Sequence, residues 1–492
     1  MLTIFPPKNK FLGDVQAGRI SPLYTELPFQ EPQHYYQKLK RPYSFIFESF
    51  NGPERIARYS FIGCDPFLIY KVKNGAVSIV SHAGQKVSAD PPLAGLRKIL
   101  SSYRIEPIAG LPPFVGGAAG MISYDFVHYF ESLPRTAADD LHIPDAHFLL
   151  IDTVIAFDHT LGKTYLISCP GAEETIEGTE GNWADYYEHA CEKIQGFYRK
   201  LNQKEEDTGR NTDRVKSPIT IVHEMEKKQY MDMVIKAKEY IRAGDIFQAN
   251  LSQRVSAKIG DRSPWHVYKT LSTINPSPFA AYLDMGDYYI ASSSPERLVR
   301  VRDDVVETRP IAGTRPRGVN ADDDKKLRAD LLLNEKERAE HLMLIDLERN
   351  DLGRISDYSS VEVDEFMTTE DYSHVIHIVS NVKGKLAKGK DSFDAIRAVF
   401  PGGTITGVPK VRCMEIIDEL EPVVRGPYTG SVGYISFSGA MDLNIIIRTF
   451  VIKNKTAYVQ AGAGIVADSE PEKEHYESLK KAEALIRTLE VL

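Results

Sequence analysis

Glu337 and Glu340 in NEKERAEHLMLIDL, and Glu474 and Glu477 in DSEPEKEHYESLKKAEAL, form two carboxylate pairs with the members three residues apart. On a helix that spacing turns both side chains of a pair to one face. Asn334 and Ser469 stand where N-caps fall, and Pro471 suits a first turn, so both segments read as helices with defined starts. Oxygen donors of this kind suit Mg²⁺, which takes one or two protein carboxylates, keeps water, and leaves positions for an oxygen-rich anionic substrate. A solvated helix face, with each Glu supporting a Lys or Arg one turn on, is the plain alternative. The surrounding segments shift the balance toward a site.

Five further segments carry groups that do chemistry. In ETRPIAGTRPRG, Gly313 lets a backbone approach a ligand and Thr314 offers a hydroxyl beside Arg309, Arg315 and Arg317, a possible carboxylate cradle. In DYSHVIHIVSNVKG, His374 and His377 stand three apart in an apolar run, where an imidazole is either a satisfied core group or a neutral-range acid or base. ASSSPERLVRV places Glu296 after a Ser-Ser-Pro turn, where a pocket would raise its pKa. FPGGTITGVPKVRCMEIIDELEP is a Gly-rich turn entering a helix with Lys410 and Arg412 near its start, an anion-binding arrangement without the P-loop pattern. The last strand carries Tyr434, Arg448 and the turn AGAGIV, and a buried Arg448 would need an anionic partner such as a substrate carboxylate.

These groups are held by a chain of 492 residues, 42% hydrophobic and 26% charged, enough for two or three cores or one large double layer. A net charge of −8 gives no basic footprint for nucleic acid, so anionic substrates must be met by local Arg and Lys. Cys64, Cys169, Cys191 and Cys413 lack ligand spacing and read as reduced thiols. With no signal-like N-terminus and no run of 18 apolar residues, the expectation is a cytoplasmic protein that neither enters a membrane nor binds nucleic acid. Residues 1–170 are rich in short β runs, among them YSFIFESF, DPFLIYKV, FLLIDTVIAFD and KTYLISC. Residues 171–217, ending in KEEDTGRNTDRVKS, read as a polar linker or surface excursion. Residues 218–492 mix helices with long strands, beginning with an amphipathic helix in EMEKKQYMDMVIKAKEYIRAGD that ends at Gly244. Hairpin-like turns such as DMGD and NKT favour α+β layers over a doubly wound sheet.

Taken in order, PIAGT, KERAEHLMLIDLERNDLGR, SHVIHIVS, VPKVRCMEIIDELE, GSVGYISF, MDLNIIIRT and GAGIVADSEPEKEHYE resemble the chorismate-utilising enzymes, specifically the large aminating subunits of anthranilate and aminodeoxychorismate synthases. The resemblance spans nearly the whole chain. It implies an α+β sandwich of two large, mainly antiparallel sheets flanked by helices, with residues 218–492 binding chorismate. It implies Mg²⁺ on Glu340 and Glu477, with Glu337 and Glu474 touching the metal or its water. Gly313, Thr314, Tyr434, Arg448, Gly462, Ala463, Gly464 and Lys481 then look like ligands of the substrate's carboxylates. Glu296 matches the acid that protonates the departing 4-hydroxyl, and His377 the second polar group at the reacting ring.

Relatives that add water carry a Lys at the position matching Gln248 in IFQANLSQR, and Gln cannot deprotonate water, so the chain looks built for ammonia. No Cys sits in a GxCxGxQ setting, which implies a separate glutamine amidotransferase subunit as the ammonia source. The product is signalled two ways. Typical aminodeoxychorismate synthases have PIKGT, with an attacking Lys, whereas Ala312 resembles anthranilate synthases. QANLSQR, NPSPFAAYL, SSSPERL, FPGGTITG and MDLNI look more like the aminodeoxychorismate group, and the reading leans that way, with Lys410 available as a substitute nucleophile. Tryptophan feedback in anthranilate synthases uses an LLES-like segment and NPSPYM; FIFES keeps Ser49, but Phe279 and Ala280 replace Tyr and Met, so an intact feedback site is not expected. A silent scaffold subunit is a further alternative, opposed by the intact Glu296, Glu340, Glu477 and Arg448 set, because buried carboxylates without a cation are costly to keep.

Overall fold

The computed structural model describes residues 2–50, 52–179, 181–203, 218–372 and 375–492. Alternation along the strands sets the layers: in Ser44–Glu48, Phe45 and Phe47 turn to the inner core while Ile46 turns to the outer one. The first sheet runs Leu23–Leu27, Lys163–Ser168, Thr153–Asp158, Tyr59–Gly63, Ser44–Glu48, Phe279–Asp284, Tyr288–Ser294, Thr449–Lys453, Thr456–Ile465, Gln248–Lys258 and Ile221–His223. The second runs Ile311–Pro316, Val375–Lys385, Val305–Thr308, Arg297–Arg302, Met441–Asn444, Ser431–Ser436, Gly117–Ile122, Ala146–Ile151, Leu68–Lys73, Ala76–Ser81 and Gly84–Ser88. The pairings between these strands are antiparallel. Their facing sides share one core, where Phe61 of the first sheet meets Phe114 and Tyr434. The expected sandwich is therefore present, and both the N-terminal and the C-terminal regions contribute strands to each sheet.

The helices Lys8–Gln16, Pro32–Leu39, Trp183–Asn202, Pro264–Ile274 and Pro471–Val491 cover the outer face of the first sheet. Two sequence expectations change here. Residues 183–202, read as linker or excursion, form a helix capped by Asn182, whose side chain accepts from the Asp185 N–H. Its Tyr187, Ala190, Ile194, Phe197 and Leu201 are buried, so the stretch is polar on one face only. Residues 204–217, with KEEDTGRNTDRVKS, lie outside the described residues. The run FLLIDTVIAFD is not one strand: Ala146–Ile151 belongs to the second sheet and Thr153–Asp158 to the first, and the chain changes sheet at Asp152, which Lys193 Nζ meets at 2.5 Å. Every residue of both halves is buried, so no alternation marks the break. The helix Lys227–Ala243 ends at Gly244 as expected, with φ +83°. The four cysteines are buried and free, and among the described residues no helix is long and apolar enough to cross a membrane.

A buried ion pair ties the strand Gln248–Lys258 to the segment after the helix Lys410–Leu420. Arg425 donates to Glu421 at 2.7 and 3.0 Å, and to the carbonyls of Asn250 and Ile405. Glu421 also accepts from the Ser252 N–H and hydroxyl, both at 2.9 Å. Removing one partner strands the other charge in the interior. Glu421→Ala is expected to lower stability by about 3–5 kcal/mol, and the double change Glu421→Leu with Arg425→Met by much less, in denaturant unfolding.

Candidate active site

Two chain segments pass side by side from one sheet to the other. Tyr288–Ser294 pairs with Thr449–Lys453 in the first sheet, and their continuations Arg297–Arg302 and Met441–Asn444 pair in the second. At the crossing the Ile445 N–H donates to the Glu296 carbonyl at 3.0 Å, the Ser293 N–H to the Arg448 carbonyl at 3.1 Å, and the Ser294 hydroxyl to the Ile445 carbonyl at 2.6 Å. Glu296 and Arg448 occupy this corner. Arg448 takes φ +50°, a conformation that costs a non-glycine residue energy and that the paired backbone holds in place. Burial lowers the Arg448 pKa, and Tyr372 and Glu296 offset that effect in part. Glu296 is 6% exposed, and desolvation pushes its carboxyl up to about 7 against the opposing pull of Arg448 and Lys481. Its Oε1 has no hydrogen-bond partner among the described residues. A carboxyl that is substantially protonated near neutrality is a competent general acid.

His377, on the strand Val375–Lys385, lies opposite Thr314. Its Nδ1 is 2.9 Å from the Thr314 hydroxyl and 3.2 Å from the Gly313 carbonyl, while Nε2 is buried without a partner. Burial, helped by Arg448, lowers the imidazole to about 4, so the ring is neutral. A proton on Nδ1 directed at the Gly313 carbonyl leaves an Nε2 lone pair free for a ligand. His374 lies outside the described residues. Gly313 sits in a bulge where the register slips between Ala312 and Thr314, with φ +66°. A Cβ there would stand 3.0 Å from Glu337 Oε2. Glycine thus brings the backbone up to the first carboxylate pair.

That pair stands on the helix Glu335–Gly353, which Asn334 caps by accepting from the Glu337 N–H at 3.0 Å. The second pair stands on Pro471–Val491, whose N-cap is Glu470 rather than Ser469; the Ser469 hydroxyl accepts from the Val466 N–H instead. Burial raises the Glu340 carboxyl, with Glu337 adding to the effect and the Gln248 amide, donating at 3.3 Å, opposing it. Burial raises Glu474 likewise, with Glu477 adding. Lys336 and Lys481 act on both Glu340 and Glu474, and Lys481 pairs with Glu477 at 3.0 Å. The four carboxylates therefore border one basin, which Lys481 links to Glu296. Among the described residues no three carboxylates, imidazoles or thiols converge to close a metal cage. The donor set fits an ion that takes one or two carboxylates and completes its sphere with water and a bound anion, since Glu340 is a half-buried carboxylate crowded by a like charge.

Gly462 and Gly464 form the adjoining wall, where a Cβ would meet Asn250 Oδ1 at 2.6 Å and Gln248 Nε2 at 2.4 Å respectively. Ala463 between them pairs with Leu251 and turns its methyl into the core. The hydroxyl near Gly462 belongs to Tyr428, 3.0 Å from that Cβ position, and not to Tyr434. Tyr434 stacks on Phe114 and lines a separate cavity of about 460 Å³ with Ser49, Phe279, Ala280 and Met441. Tyr428 lies in the turn 426–429 that leads into the strand Ser431–Ser436, and Tyr434 within that strand. The arginines of ETRPIAGTRPRG do not form a free cradle: Arg309 pairs with Glu370 and Glu365, Arg315 with Asp330 and Glu337, and Arg317 with Asp324. Lys410 is held by Asp351 at 2.5 Å and the Val399 carbonyl, and Arg412 by Asp245 and Glu415, so that helix start offers no free cation.

A family model described as chorismate binding enzyme matches residues 44–487. The chain is 43% identical to anthranilate synthase component 1 of Acetivibrio thermocellus, over 91% of this chain and 90% of that one. It is 42% identical to aminodeoxychorismate synthase component 1 of Bacillus subtilis (strain 168), over 96% and 97%. The crystal structure of anthranilate synthase component I from Streptococcus pneumoniae TIGR4 superposes with a TM-score of 0.77 at 36% identity, covering 87% of this chain and 92% of that one.

The geometry at His377 gives a direct expectation. In ¹⁵N spectra of histidine-labelled protein its ring stays neutral, protonated on Nδ1, from pH 8 to 5, with a midpoint of about 4. A midpoint near the usual histidine value of about 6.5 would remove it as a neutral acceptor.

Proposed function

This chain belongs to the chorismate-binding enzyme family, and we propose that it adds ammonia to chorismate as component 1 of an aminodeoxychorismate synthase, giving 4-amino-4-deoxychorismate. One observation carries the amination: a neutral amide, Gln248, lies between Glu340 and Gly464 where a base for water would have to stand. Gln cannot take a proton from water, whereas ammonia brings its own lone pair. Glu296 donates its proton to the departing 4-hydroxyl, which leaves as water. Arg448, Tyr428 and the backbone at Gly462 and Gly464 hold carboxylate oxygens, with Gly313, Thr314 and Lys481 at the opposite rim. His377, neutral, accepts a hydrogen bond at Nε2 and orients the ring. Mg²⁺ on Glu340 and Glu477, with Glu337 and Glu474 beside them, would supply Lewis-acid polarisation and a template for the ring carboxylate. The ammonia source is a separate glutamine amidotransferase subunit, in keeping with four buried cysteines, none in a glutaminase setting.

Regeneration of 4-amino product without an attacking lysine rests on direct addition of ammonia, because Lys410 is locked in its pair with Asp351. The motifs QANLSQR, FPGGTITG and MDLNI support this product, as does the near full-length likeness to an aminodeoxychorismate synthase. Ala312, buried at the bulge before Gly313, favours the second reading, anthranilate with release of pyruvate.

Product analysis of the purified chain with chorismate, Mg²⁺ and excess ammonium separates the readings. 4-Aminobenzoate formed only after a lyase is added is the expected result; anthranilate with pyruvate would establish the second reading, and no chorismate consumption would sink both. Glu340→Ala is expected to abolish turnover while the fold is kept, seen as unchanged circular dichroism. Tyr428→Phe should raise the KM for chorismate roughly tenfold, at the ~1.5 kcal/mol of one hydrogen bond to a charged group, while Tyr434→Phe leaves it unchanged. Equal effects of the two would refute the placement of Tyr428.

A further inference from the structure

The segment ETRPIAGTRPRG opens on an arginine that the proposed reaction leaves unused. Arg309 is buried and ends on Glu370, to whose Oε1 its Nε donates at 3.2 Å and a second guanidinium nitrogen donates as well. Its other bonds go to Asn381 Oδ1 at 3.4 Å and to Glu365 at 2.6 Å. The second Glu370 oxygen, Oε2, accepts from the Tyr372 hydroxyl at 3.0 Å. Burial, and then Glu370, raises the Tyr372 hydroxyl, so it stays protonated and is the donor of this bond. With its hydroxyl committed there, Tyr372 presents its ring to His377: the centroids are 5.3 Å apart and the planes meet at 70°. Arg309, Glu370 and Tyr372 thus form one buried chain of contacts that ends on the imidazole. Strand pairing places it there, because Glu370 on the strand Glu362–Asp371 lies directly opposite His377, and residues so paired share a face. The Tyr372 backbone is fixed too: its N–H donates to the Val375 carbonyl at 2.9 Å, and its carbonyl accepts from Arg317 at 3.3 Å.

We propose that Tyr372 is a positioning residue for His377: tethered by Glu370 and Arg309, it holds the plane of the imidazole and keeps water from it, so that Nε2 meets the substrate in one orientation. The inference rests on the reading of His377 as the acceptor of a hydrogen bond from the substrate. Contacts from Nδ1 to the Thr314 hydroxyl and the Gly313 carbonyl fix one edge of the imidazole and leave the ring free to rock about that edge. An aromatic ring packed against it at a steep angle removes that freedom. The groups that face His377 are therefore Thr314 and Gly313 on the paired strand, Tyr372 at its ring and Arg448 at the crossing between the sheets. Burial is the larger cause of its lowered pKa and Arg448 the smaller, so a side chain that seals the ring from water bears on its charge as well as its aim. The ion pair behind Tyr372 then has a use away from the substrate. A phenol tethered to a carboxylate that a guanidinium already holds cannot swing aside, whereas an untethered aromatic ring could.

Two variants test this, one removing the ring and one only its hydroxyl, with His377 observed directly in ¹⁵N spectra of the resting, histidine-labelled full chain. In Tyr372→Leu water reaches the imidazole, and its midpoint should rise from about 4 by about one pH unit, toward the ordinary histidine value. Chorismate consumption with Mg²⁺ and excess ammonium should show kcat lowered about tenfold and KM changed by no more than about twofold. Tyr372→Phe keeps the ring and loses the tether, so its midpoint should lie between those of wild type and Tyr372→Leu, with kcat lowered roughly threefold. A wild-type midpoint in Tyr372→Leu overturns the proposal whatever the activity, because lost turnover beside an unchanged imidazole marks a merely structural role. Should the Leu chain fail to fold, Tyr372→Phe decides alone, and a midpoint and kcat equal to those of wild type overturn the proposal. The spectra need neither turnover nor product. They therefore succeed or fail separately from the assigned reaction, which fails if the wild-type chain consumes no chorismate.

Discussion

The site depends on a paired crossing between two sheets. A single strand leaving one sheet for the other would expose unpaired N–H and C=O groups at the bend, where water is scarce. Two strands that cross together satisfy each other, and the bonds from Ile445 to Glu296 and from Ser293 to Arg448 do so. The cost is concentrated in one residue, Arg448 at φ +50°, and the benefit is that an acid and a guanidinium come out of the corner side by side. Arg297, next in the chain, fixes the ribbon in the second sheet with paired bonds to Asp442 at 2.9 and 3.0 Å. A residue on a loop would have neither the burial that raises Glu296 nor the rigidity that aims it.

Around that corner the charges are deliberately left incomplete. A chain of net charge −8 neutralises nearly all its interior arginines with carboxylates, as at Arg425, Arg297 and Arg309. Arg448 is an exception, and on the other side of the cleft Glu340 is an exception of opposite sign. In the proposed reading a dianionic substrate and a divalent cation resolve both at once: one carboxylate meets the guanidinium and the other meets the ion that the carboxylate basin holds. Binding then supplies the compensation that folding withheld, and this is why the two helices and the ribbon tolerate groups that a purely structural core would replace.

Much of this was legible in the sequence, and the failures have physical causes. The carboxylate pairs, the Asn334 cap and the hairpins at DMGD and NKT follow from local rules of period, capping and turn chemistry, and these held. The polar tract at 183–202 misled because average composition conceals a buried stripe on one helical face. Asp152 misled because strands buried on both sides show no alternation to mark where one sheet ends. The arginines near Gly313 and the Lys410 helix start looked like anion sites because a cation is visible in sequence while its partner, such as Asp330 for Arg315 or Asp351 for Lys410, is not. Tyr434 and Tyr428 stand six residues apart, and only the second, in the turn before the strand, reaches the Gly462 wall.

Lys410 shows how much such a pairing decides. As a free amine near the cleft it would offer a covalent route to the 4-amino product, and Ala312 would then be a neutral replacement. Held by Asp351 and the Val399 carbonyl, it is committed to those partners and is not free to attack. Its remaining effect is electrostatic. It opposes the burial that raises the Asp351 and Glu348 carboxyls. In the proposed reading, direct attack by ammonia is then the route to the 4-amino product.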